Sequence, residues 1–172
     1  MAADGEVCLC GGRMALGVGA ELHGDVMRIE VRTLIAAPVE RVFAVASDIP
    51  RWPQSIGAIT RVEMLTPGPV AAGTRFRETR TMFGRTESQE MAVAEMLPPS
   101  LFVLTAESHG TRYRAVHTFA AERDGTRLGL VFEGVPVTLR ARLMAPVGWL
   151  MKGHLERQLA ADLADLKRAV EG

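Results

Sequence analysis

The residues best suited to chemistry lie on two stretches of alternating character. Between Thr74 and Phe83, the side chains Phe76, Glu78, Arg80 and Met82 fall on one face and Arg75, Arg77, Thr79 and Thr81 on the other, which is the period of a half-buried strand. Phe76 and Met82 mark the inner face, so Glu78 and Arg80 point inward with them. An unpaired charge there is costly, whereas a paired and hydrogen-bonded one is tolerated. Two readings stand: a polar anchor for a ligand carbonyl, hydroxyl or carboxylate, or a structural salt bridge near the sheet's end, unless a bulge turns both residues outward.

From Arg112 to Ala121, the residues Tyr113, Ala115, His117 and Phe119 share a face opposite Arg112, Arg114 and Thr118. The apolar set faces inward and takes His117 with it, beside the chain's only tyrosine. Histidine's near-neutral pKa suits proton transfer, although a lone inward histidine also serves as a hydrogen-bonded core residue. His154 is the third candidate proton carrier. It falls between Leu150 and Gln158 on the apolar side of a helical stretch that also holds Gly148 and Gly153, where glycine calls for a packing reason or room for a ligand, or else marks a frayed or bent first turn after Pro146.

Other chemistries find no support. There is no Gly-x-Ser-x-Gly elbow, Walker loop, dinucleotide fingerprint or His-Glu-x-x-His, so no cofactor is indicated. His109 falls in a turn and His23 in the leader, and the scattered histidines lack metal-ligand spacing. Cys8 and Cys10 lie outside the stretch expected to fold, and two thiolates are too few for a zinc site. They read as free thiols in a reducing cytoplasm.

The elements that position these residues follow from periodicity. Val26–Ile35 alternates as a strand; Pro38 suits the first turn of a short helix through Val39, Val42, Phe43 and Ala46, and Asp48 is placed to cap a second helical piece over Ile49–Pro53. Strands follow at 58–65, 74–83, 85–97, 101–107, 112–121 and 126–134, separated by Thr66-Pro67-Gly68-Pro69, Gly84, Pro98-Pro99, His109-Gly110 and Asp124-Gly125. Finally, Leu139, Leu143, Val147, Leu150, Met151, His154, Leu155, Leu159, Leu163, Leu166 and Val170 recur with the helical period. Arg140, Arg142, Lys152, Glu156, Arg157, Asp162, Asp165, Lys167 and Arg168 fall on the wet side. Pro146 predicts a lead-in turn up to Ala145 and a main helix from there. A long helix after a run of strands implies a sheet curved around it.

A chain of 172 residues, 48% hydrophobic, supports a single domain. Twenty basic and twenty acidic side chains cancel, and this balance gives no sign of a nucleic-acid or anionic-membrane partner. Nothing is long and apolar enough to span a bilayer. The glycine-rich residues 1–25 read as a flexible leader whose removal leaves thermal stability nearly unchanged, with the folded domain over 26–172.

Ile35-Ala36-Ala37-Pro38-Val39-Glu40-Arg41-Val42-Phe43, Asp48-Ile49-Pro50-Arg51-Trp52-Pro53, Gly73-Thr74-Arg75-Phe76 and Asp124-Gly125-Thr126-Arg127-Leu128 occur in this order. Over residues 26–172 the chain thereby resembles the polyketide cyclase/dehydrase and lipid-transport-like branch of the START-related (SRPBCC) superfamily. The resemblance implies an α+β helix-grip fold: a seven-stranded curved antiparallel sheet around a long C-terminal helix, with two short helices between strands 1 and 2 and a ligand cavity between sheet and helix.

The expected cavity wall is Trp52, Phe76, Met82, Tyr113, Phe119, Leu130, Phe132, Leu143, Val147, Leu150 and Met151, with Glu78, Arg80, His117 and His154 orienting a small lipophilic ligand. A binder or carrier needs no more than this. A cyclase or dehydratase requires at least two of Glu78, Arg80, Tyr113, His117 and His154 to converge on one point. A homodimer formed through a sheet edge or helix end is a third possibility.

Overall fold

The computed structural model describes residues 26–82 and 84–172, and the side chains of Met82 and of residues 145–149 lie outside that description. The expectations on Met82 and Val147 as wall residues, and on the leader, therefore fall outside it. Among the described residues seven strands form one antiparallel sheet: β1 (Met27–Ile35), β2 (Ile59–Met64), β3 (Arg75–Met82), β4 (Arg85–Leu97), β5 (Leu101–Ser108), β6 (Thr111–Glu122) and β7 (Gly125–Pro136). Their spatial order is β1-β7-β6-β5-β4-β3-β2, so the first and second strands are the two edges. The helices α1 (Val39–Ser47) and α2 (Trp52–Ser55), joined by a 3-10 turn at Ile49–Arg51, carry the chain from one edge to the other.

The alternation read from the sequence is the alternation of the sheet. Ile29 and Ile35 of β1, Phe76 of β3, Phe102 and Leu104 of β5, Phe119 of β6 and Leu128 and Leu130 of β7 are buried on one face. Against them pack Val42, Phe43 and Ala46 of α1 and Leu159, Leu163, Leu166 and Val170 of the last helix, α3 (Leu139–Glu171). Edge-to-face aromatic pairs, Phe43 with Phe119 at 5.1 Å and Trp52 with Phe76 at 5.5 Å between centroids, tie the short helices to the sheet. Trp52 also donates its indole N–H to the Ala46 carbonyl at 3.0 Å.

Two local expectations are corrected. Asp48 makes no side-chain capping hydrogen bond; its carboxylate instead lies 3.6 Å from Arg51. The last helix begins at Leu139, where Thr138 caps it by accepting from the Ala141 N–H at 3.2 Å, and it is continuous through Pro146. That cap is held by the β5–β6 turn, where the Gly110 carbonyl accepts from the amides of Val137 and Thr138 at 2.8 and 3.2 Å. Gly110 has φ 74°, and a Cβ there would stand 2.2 Å from Thr138 Oγ1, so glycine is required on both counts.

The amphipathic stripe of α3 also divides. Leu159, Leu163, Leu166 and Val170 are buried, but Leu143, Leu150 and Met151, expected to face the interior, are exposed. For Leu143 and Leu150 the cause is geometric: Leu150 precedes Leu159 by nine residues, about two and a half turns, and so points to the opposite side, as Leu143 does. Successive steps of three and four carry the stripe around the helix by half a turn.

Candidate functional site

Along β3 the inward positions pair with defined neighbours: Phe76 with Met91, Glu78 with Gln89 and Arg80 with Glu87 on β4, and Glu78 with Val62 on β2. Glu78 and Arg80 thus point toward α3 as their alternation requires, and there they meet Asp162. Arg80 Nε lies 2.8 Å from Glu78 Oε1, and Arg80 donates through Nη2 to Asp162 Oδ2 at 2.7 Å. Glu78 and Asp162 are both buried. Two carboxylates therefore share one guanidinium, a combined formal charge of −1 when all three are ionised.

The electrostatics follow from that count. Burial raises the Glu78 and Asp162 carboxyls above their ordinary values, only partly opposed by the Arg80 charge. Burial alone would lower the Arg80 pKa, but the two carboxylates more than offset this and raise it. Arg80 stays charged while the carboxyls are biased toward holding a proton.

Two amides extend this polar cluster. Gln89, across the ladder from Glu78, has a buried Nε2 without a hydrogen-bond partner, and Gln158, one turn before Asp162, has a buried Oε1 in the same condition. Periodicity places Asp162 on the wet side of α3, which the structure corrects, and it does not point to either glutamine. A readable signal exists nonetheless: His154, Gln158 and Asp162 follow one another at four-residue steps, a polar row along a single helix face. His154 is half-buried at the head of that row.

The remaining candidates lie elsewhere. Tyr113 stacks on Phe132 at 5.7 Å between ring centroids, and Gly134 opposite leaves room for the phenol, since a Cβ would lie 3.3 Å from Tyr113 Cε1. His117 faces inward beside Phe102 and Leu130. Its Nδ1 lies 3.3 Å from the Phe102 carbonyl oxygen, and burial pushes its pKa down to about 4, so at neutral pH the ring is uncharged with Nδ1–H the donor. β6 is three strands from β3, about 14 Å at ordinary strand spacing, so His117 and Tyr113 do not join the Glu78–Arg80–Asp162 cluster.

Met91, Tyr113 and Phe132 face the interior yet are only half-buried, whereas Trp52, Phe76, Phe119 and Leu130 are fully packed. The concave face is thus covered at one end by the second half of α3 and left partly open at the other. A separate open depression of about 510 Å³ lies outside, between the start of α1 and the β6–β7 turn, lined by Pro38, Glu40, Ala121 and Gly125 among others. No group of three or more metal-ligating side chains occurs among the described residues.

A curved antiparallel sheet gripping a C-terminal helix, with short helices between its first two strands, defines the helix-grip class. Residues 27–171 match the family model described as "Polyketide cyclase / dehydrase and lipid transport", and the chain belongs to that family. Similar solved structures include TTHA0849 from Thermus thermophilus, with TM-score 0.70 and 18% identity over 84% of this chain and 97% of that one. The Zhui aromatase/cyclase from Streptomyces sp. R1128 matches with TM-score 0.70 and 16% identity, over 85% and 94% of the two chains. Ara h 8.0201 matches with TM-score 0.67 and 15% identity, over 84% and 97%. At these identities the likeness is one of fold. No curated protein sequence matches.

Proposed function

We propose that the protein binds a small lipophilic or aromatic molecule between the concave face of the sheet and α3, with the Glu78–Arg80–Asp162 cluster anchoring its polar group. The observation that carries this reading is the half-open wall of Met91, Tyr113 and Phe132 on the sheet face that also bears Gln89, whose Nε2, like the Oε1 of Gln158 on α3, is buried and unpartnered. Buried polar atoms ordinarily have partners, and a ligand hydroxyl or carbonyl supplies them. Each methylene buried on the wall adds roughly 0.8 kcal/mol, so affinity requires no covalent step. The family's description, which includes lipid transport, agrees with a carrier.

A cyclase or dehydratase is the second reading. It is favoured by the raised carboxyls of Glu78 and Asp162, which suit a general acid. The distance of His117 and Tyr113 from that cluster weighs against it, because acid and base would have to come from the cluster alone.

Native mass spectrometry of the purified protein, followed by denaturing extraction, tests the first reading. A co-purifying lipid, quinone or aromatic polyketide that is lost on E78A/D162A substitution supports it. An empty protein that displaces no hydrophobic fluorescent probe with any lipid extract overturns it.

A further inference from the structure

Leu139, Leu143 and Leu150 are 83%, 82% and 87% exposed. They are spaced by four and seven residues and so form one ridge along the first half of α3, about 16 Å long at the helical rise. Met144 and Met151 widen the ridge on one side, and Val135 and Val137 continue it before the helix; all four are exposed. Arg140 and Arg142, both exposed, project to opposite flanks of Leu143. From Gly134 to Leu155 the chain carries Arg140, Arg142 and Lys152 and no acidic residue. The zero net charge of the whole chain conceals this local excess.

Large apolar side chains aligned and left bare in this way mark an interaction surface. We propose that the first half of α3 lies on an anionic lipid surface, its leucine ridge inserted below the headgroups and its arginines reaching back to them. The sign of the charge selects this occupant. A second copy docked through the same ridge would bring arginines against arginines, whereas anionic headgroups attract each arginine and accept its aliphatic stem. Among the described residues no helix is long and apolar enough to cross a membrane, so the contact is peripheral. The proposal stands whether or not the interior holds a ligand.

Co-sedimentation of the full chain with sucrose-loaded vesicles tests it, using phosphatidylcholine alone and phosphatidylcholine containing one third phosphatidylglycerol. The expected result is partitioning onto the anionic vesicles at least about tenfold stronger than onto the neutral ones. L143E/L150E should weaken it by about tenfold or more, and R140Q/R142Q should remove the preference for anionic lipid. Because these side chains are exposed, circular dichroism should show all variants folded. Absence of binding by the full chain, or binding that L143E/L150E leaves unchanged, overturns the proposal. So does binding that appears only after residues 1–25 are removed, which would assign the ridge to that segment, or a wild-type dimer that L143E/L150E converts to monomer.

Discussion

Arg80 on β3 donates to Asp162 on α3 at 2.7 Å, joining two residues 82 positions apart in the sequence. Glu78, two residues away on the same strand face, lies 2.8 Å from Nε of the same guanidinium. Among the described residues Arg80 is therefore the single counter-charge for two buried carboxyls. Replacing it with methionine should destabilise the fold by about 3–5 kcal/mol in urea denaturation, since uncompensated charge remains inside. The triple variant E78Q/R80M/D162N should recover most of that loss. A cost below about 1 kcal/mol for R80M would show that the carboxyls escape to water.

The pH dependence of the same cluster has a definite sign. The Glu78 and Asp162 carboxyls have raised pKa values in the folded state, so their contribution to stability is fully present below the unfolded-state values and is lost as pH rises through the folded ones. E78Q should accordingly gain stability relative to the wild type as pH increases above about 4.5. Urea midpoints measured from pH 4 to 8 would reveal the divergence, and parallel curves would contradict it.

His117 titrates in the opposite sense. Its folded pKa is lowered to about 4, so the neutral ring's contribution is present above the unfolded value of about 6.5 and fades as pH falls toward 4. The loss at full protonation is on the order of 3 kcal/mol. H117N, which keeps an amide donor for the Phe102 carbonyl, should flatten the acid limb. A proton NMR titration of the His117 ring placing its midpoint near 6.5 would refute the assignment.

Gly110 tests how α3 is started. G110A forces a side chain into a positive-φ position and against Thr138 Oγ1, which caps the helix. A loss of about 1–3 kcal/mol is expected, with amide hydrogen exchange accelerated first in residues 139–144. Uniform acceleration across the sheet instead would place the damage elsewhere.

The architecture is legible in the sequence because β1, β3 and β6 alternate cleanly and glycine or proline marks their ends. Glu78 and Arg80 are readable for the same reason, since two apolar neighbours fix which face they share. Asp162 is not readable, because a helix face is assigned by majority and an acid beside Leu159 and Leu163 counts as wet until a cation arrives from another element. The separation of His117 from Glu78 cannot be read either: alternation says which face a residue takes, whereas distance depends on the strand order β6-β5-β4-β3. The outward turn of Leu143 and Leu150 stays hidden as long as steps of three and four are accepted without summing their rotation.

The two ends of the described chain fasten each other. Lys167 donates to the Leu34 carbonyl at 2.8 Å, and Glu171 accepts from the Ala36 amide at 2.7 Å, across 133 and 135 residues. During synthesis the part of the concave face that α1 and α2 leave bare consequently stays uncovered until the last turns of α3 have left the ribosome, and folding must close a loop nearly as long as the described domain before its final contacts form.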